Sequence, residues 1–199
     1  MFLNTLPLLA AGSSAALFRM VLPYALLAVV VLMVLHFVIA LVLRGAPAER
    51  SRWNLWDLLI YLGLVGCIGV LAVTSFAGVL LHGELGGWAL FLHMCGAGAF
   101  TAVLPLSMLS WAHINKFDIP QSQGKSPAPK FYWLPKSMFW VIAISGLVVT
   151  MTMLVSMLPI FGTDGLLKLL DLHRYSGLLV VMAAALHFYG VAAGRLGLR

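Results

Sequence analysis

Apolar positions run along this chain in long blocks with few polar breaks. Four of them, residues 20–43, 58–81, 88–112 and 138–161, are long enough, or nearly so, to cross about 30 Å of hydrocarbon as helices. Residues 169–193 make a fifth block, although Asp171, His173 and Arg174 stand near its start. The pattern predicts an all-α integral membrane fold.

The breaks between the blocks set the topology. HGELGG, after the second block, is so short that the second and third spans must be antiparallel neighbours. Residues 162–168 join the fourth and fifth spans in the same way. Residues 115–135 carry Pro120, Pro127, Pro129 and Pro135 among Gln, Ser, Gly and Lys, a composition that neither spans nor packs. Spans two to five are therefore expected to form an up-and-down four-helix bundle over residues 52–193, with the loop 115–135 inside it. An additional transmembrane helix at 20–44 flanks the bundle, preceded by a tail at 1–19 and followed by a short tail at 194–199. The first tail lacks a positively charged leading region, so it is expected to stay on the membrane surface as a retained segment and not to be a cleaved signal.

Composition agrees with the bilayer assignment. Of 199 residues 62% are hydrophobic and 9% charged, against about 25% charged in soluble domains. The net charge of +6 is one-sided: Arg44, Arg50, Arg52, Lys116, Lys125, Lys130, Lys136, Arg195 and Arg199 fall on one face, and only Arg19, Lys168 and Arg174 on the other. Basic loops favour the cytoplasm, so the expectation is five spans in a bacterial-type cytoplasmic membrane, N-terminus outside and C-terminus inside. The charge needs no nucleic acid to explain it. Cys67 and Cys95 lie within spans, and without a CxxCH sequence covalent haem attachment is excluded. Two cysteines cannot hold an iron–sulfur cluster. Nor is there a Walker loop, a GxGxxG element or an HExxH helix.

The candidate chemistry is histidine. His173 and His187, fourteen residues apart, fall on nearly one face of their helix about 21 Å apart, room for two stacked haems. Intramembrane ionisable groups are expensive and usually functional. By residue counting, His93 and His173 lie about 9 Å and 7 Å below the outer edge, which pairs them as axial ligands of one haem b. His187 and His36 each lie about 12 Å from the basic border, so His36 is the expected partner of His187 at a second haem, with His113 in reserve. The alternative for His36 is a polar contact holding the first span to the bundle. His113, turned away from His93 and beside Trp111, is expected at the interface or in a quinone pocket. His82 is expected to meet water or a partner subunit. Arg174 is placed to pair with a haem propionate, or else with Asp171. The glycines at 63, 66, 69, 96, 98 and 177 suit close helix packing and a wedged porphyrin equally.

From Lys136 to Gly190 the chain resembles the membrane cytochrome b (gamma) subunit of respiratory formate dehydrogenases and the related hydrogenase cytochromes b. The resemblance rests on KSMFW, Gly146, an MLP turn at 157–159, the LH with fourteen residues to the second histidine, and the HFYG close; SFAGVLLHG and the histidine early in span three match more loosely. It implies a bundle with two haems b that passes electrons from an outer-face redox subunit, of iron–sulfur or cytochrome c type, to quinone near the inner haem. The complex would be hetero-oligomeric, with substrate chemistry in another subunit. Carried over, His93 and His173 hold the outer haem and His187 is one inner ligand. The family's other inner ligand belongs near residues 53–57, where this chain has no histidine. Either His36 or His113 replaces it, or only the outer haem remains. Two other classes are a non-haem membrane anchor or assembly subunit, and a small transporter, the latter weakened by the lack of mid-span carboxylates.

Overall fold

A chain that crosses hydrocarbon must satisfy its backbone hydrogen bonds within each segment, which makes each apolar block a helix. The structure, a computed structural model, describes residues 6–42, 54–117 and 133–196, with side chains from residue 14 on. Among the described residues there is no strand. The helices are α1 (Leu6–Val42), α2 (Leu55–Ala77), α3 (Gly87–Trp111), α4 (Trp133–Ser156) and α5 (Thr163–Arg195), and a π-helical turn, Gly78–His82, finishes α2. All five are long and apolar enough to span a membrane.

Local chemistry sets the helix ends. Asn54 Oδ1 accepts from the Asp57 N–H at 2.7 Å, and the Asp57 carboxylate accepts from the Asn54 N–H at 3.4 Å, a reciprocal cap at the start of α2. The π-helical turn stops at Gly83, whose φ of +81° is a left-handed conformation open to glycine at little cost. Pro135 sits in the first turn of α4, where its missing N–H would have had no helical acceptor.

The N-terminal boundary differs from expectation. Helix α1 starts at Leu6, so the expected tail is helical from there and continuous with the first candidate span, which runs from Ser14 to Val42. Phe18 is buried, and the Arg19 guanidinium donates to the Leu80 carbonyl at 2.9 Å, serving as a cap on the end of α2. Pro23 lies inside α1 without ending it. Most of the expected loop at 115–135 lies outside the described residues, as do residues 1–5, 43–53 and 197–199. With them go Arg44, Arg50, Arg52, Trp53, Lys125, Lys130 and Arg199.

Packing divides the bundle into two hairpins, α2–α3 and α4–α5, each tight within itself and only lightly joined across α2–α5 and α3–α4. Lipid tails are as apolar as leucine, so close fit does the joining. At Gly146 an added Cβ would lie 3.0 Å from Leu104 Cδ2 and 3.1 Å from Phe100 Cζ, so α4 reaches α3 there only for want of a side chain. Leu64, Ile68, Phe100, Leu104, Ile142 and Val180 fill the middle of the bundle. Helix α1 lies parallel to α5: Phe18 and Leu22 pack on Leu178, and Ala40 meets Ala193. Phe76, Val79 and Leu80 pack on the same cluster, which places the turn-end half of α1 over the groove between α2 and α5.

Candidate functional site

At the end of the bundle that carries the two short turns, four helices each bring one polar side chain inward. His93 comes from α3 and His173 from α5, helices on opposite corners of the bundle, and their ring centres are 6.4 Å apart with ring planes at 68°. Each imidazole is held across its own hairpin by a threonine. Thr74 Oγ1 lies 3.2 Å from His93 Nδ1, and Thr152 Oγ1 lies 3.1 Å from His173 Nδ1.

The direction of these bonds follows from the hydroxyls. Thr74 donates its single proton to the Val70 carbonyl at 2.6 Å and Thr152 to the Val149 carbonyl at 2.7 Å. Each threonine oxygen is then left to accept, so each histidine donates from Nδ1 and keeps Nε2 free with its lone pair. This is the arrangement by which outer-shell acceptors orient a ligating imidazole. The two hairpins repeat it, hydroxyl on the first helix and imidazole on the second.

Beside the imidazoles is a cavity of about 440 Å³, within the range of small-molecule and cofactor sites. Its wall is mainly apolar, with Leu71, Ala72, Ala97 and Gly177 from the bundle and Phe18 from α1. Thr150 Oγ1, buried and without a hydrogen-bond partner, belongs to a residue on this wall. Arg174 reaches the same cavity while pairing with Asp171 at 3.2 Å. Sequence reading named Arg174 but missed Thr74, Thr150, Thr152 and Phe18. Mid-span hydroxyls were the available signal for the threonines; nothing in the sequence marks Phe18.

A haem with two axial imidazoles fits this donor set. Their ring centres are 6.4 Å apart, and with Nδ1 of each tied to a threonine, Nε2 of each would be the atom to hold such a group. Among the described residues no three His, Cys, Asp or Glu side chains cluster as a metal site.

The remaining histidines have other neighbours. Three consecutive residues of α5, about 100° apart around the helix, address three different helices. His187 Nδ1 donates to the Pro135 carbonyl of α4 at 2.8 Å, Phe188 packs on Tyr61 of α2 with ring centres 5.5 Å apart, and Tyr189 meets His36 of α1. His36 Nδ1 is 2.5 Å from the Tyr189 hydroxyl. Depth alone matched His36 to His187; the half-turn of helix between positions 187 and 189 puts them on opposite sides of α5. His36 is therefore seated as the interhelical polar contact and not beside His187. His113 is exposed in the turn after α3, and His82 is exposed at the end of the π-helical turn.

No protein-family model, curated protein or solved structure matches the chain.

Proposed function

We propose that the chain is a membrane-embedded b-type cytochrome subunit, moving electrons between a partner redox subunit on the outer face and the quinone pool. The observation that carries this is the meeting of His93 and His173 from diagonal helices with ring centres 6.4 Å apart, each with Nδ1 tied to a threonine. The haem b they would hold supplies a one-electron centre in a low-dielectric slot.

The chain's own residues do the rest. Thr74 and Thr152 fix the tautomer and ring orientation and raise the basicity of the ligating nitrogens. Phe18, Leu71 and Val180 keep water from the slot, while Ala72, Ala97 and Gly177 leave room for a flat ring. Arg174 offers a guanidinium suited to a carboxylate. The one-sided basic residues support a cytoplasmic-membrane location with the N-terminus outside, which puts the His93 and His173 level nearer the outer face.

The test is a reduced-minus-oxidised spectrum of the purified full chain. A b-type band in the wild type, absent in His93→Ala and His173→Ala, is the expected result. A wild type without the band would overturn the cytochrome assignment. It would favour instead a non-haem anchor subunit, in which histidines only bridge helices, as His36 does to Tyr189 and His187 to Pro135.

A further inference from the structure

The level of the membrane around His187 is built differently from that around His93 and His173. Where the first has two imidazoles 6.4 Å apart on the wall of a cavity, the second has one, bonded to Pro135 and neighboured by aromatic side chains. Asp57, which caps α2, accepts from Trp111 Nε1 at 3.2 Å. Tyr61, one turn further along α2, packs edge-on against Phe188, the neighbour of His187, and against Trp111, with ring centres 5.5 Å and 6.2 Å away. Asn115 Nδ2 donates to the Trp111 carbonyl at 2.9 Å, and Trp140 Nε1 donates to the Asn115 carbonyl at 3.0 Å. Helices α2, α3, α4 and α5 are thus joined at this end by aromatic contacts and hydrogen bonds.

The other histidines near this end are engaged elsewhere or exposed. His36 lies against Tyr189 on the far side of α5. His113 is exposed beyond the end of α3. His187 itself leans on Pro135 at the start of α4, where Gly190 lets the two helices close: an added Cβ there would lie 3.1 Å from Pro135 Cδ. These residues do not fit a second six-coordinate haem.

Resting on the cytochrome assignment, we infer that the chain carries one haem, at the His93 and His173 level alone, and that Tyr61, Trp111 and Phe188 occupy the place of a second. The redox-competent part of the chain is then the half with the short turns. Donor and acceptor must both approach that half, and His187 serves to pin α5 to α4.

The experiment is haem quantification by pyridine haemochrome on the purified full chain, with a potentiometric titration of the same sample. Expected are one haem per chain and a single one-electron transition. His187→Ala and His36→Ala should keep the ratio at one, and His173→Ala should bring it near zero. Two haems per chain, two resolved transitions, or a haem lost with His187→Ala but kept with His173→Ala would overturn the single-site inference and leave the cytochrome assignment standing. A wild type with no haem would overturn both.

Discussion

Replacing Thr152 with valine removes one hydroxyl and nearly nothing else. Thr152 is only 5% exposed, and valine keeps its volume in the packing between α4 and α5. What is lost is the acceptor 3.1 Å from His173 Nδ1. Without haem the imidazole can turn to another partner. With iron on Nε2 the ring would be fixed and its Nδ1–H left with the Val149 carbonyl as its remaining acceptor, so the loss falls on the loaded state. A donor left wholly unsatisfied in such a place costs about 1–3 kcal/mol, or about 5- to 150-fold in affinity at 1.36 kcal/mol per tenfold, which is the upper bound here because the Val149 carbonyl stays in reach. Outer-shell partners of metal ligands are worth about 10–100-fold, which agrees. Thr152→Val should therefore release haem about 10–100 times more readily to an excess of a haem-scavenging protein. Its midpoint potential should rise, because a less basic imidazole stabilises ferric iron less. Ser107→Ala is the control: Ser107 is buried and donates to the Leu104 carbonyl, with no histidine attached. Unchanged haem release and midpoint in Thr152→Val would refute the orienting role of the hydroxyl.

Thr74→Val should act on His93 in the same direction, and a wild-type midpoint in that variant would break the symmetry assigned to the two hairpins. Gly146→Val forces a branched side chain against Leu104 and Phe100, an overpacking cost of about 1–3 kcal/mol; thermal unfolding in detergent should show the loss, and an unshifted transition would mean that α4 does not approach α3 so closely. Tyr189→Phe removes the hydroxyl at His36, worth about 0.6 kcal/mol and at most about 1.7 as interhelical bonds in membranes go; a double-mutant cycle with His36→Phe should return a coupling of that size at unchanged haem content, and zero coupling would remove the bond. Arg174→Gln, at the cavity wall, should weaken haem retention more than Asp171→Asn does, because only the guanidinium can meet a carboxylate; equal effects would reduce Arg174 to a partner for Asp171.

Much of the architecture is legible without coordinates. Block length and hydropathy give five spans, because a bilayer imposes one length and one secondary structure on whatever crosses it. The short turns force two antiparallel hairpins. Counting residues from those turns also brings His93 and His173 to one level, since rise per residue is constant along a helix. The same arithmetic misleads for His36. Depth is one coordinate, and the side of α5 on which His36 lies depends on where α1 docks.

The sequence by itself determines the all-helical membrane class, the helix count and the common level of His93 and His173, all of which follow from block length and from rise along a helix. Only the tertiary structure decides azimuth and neighbours: that Thr74 and Thr152 stand behind the two facing histidines, that Phe18 closes their cavity, and that Tyr61 and Phe188 fill the other end. In an apolar bundle every helix face reads as hydrophobic, and the choice of partner rests on the fit of glycines, aromatics and a few hydroxyls against surfaces far away in the chain.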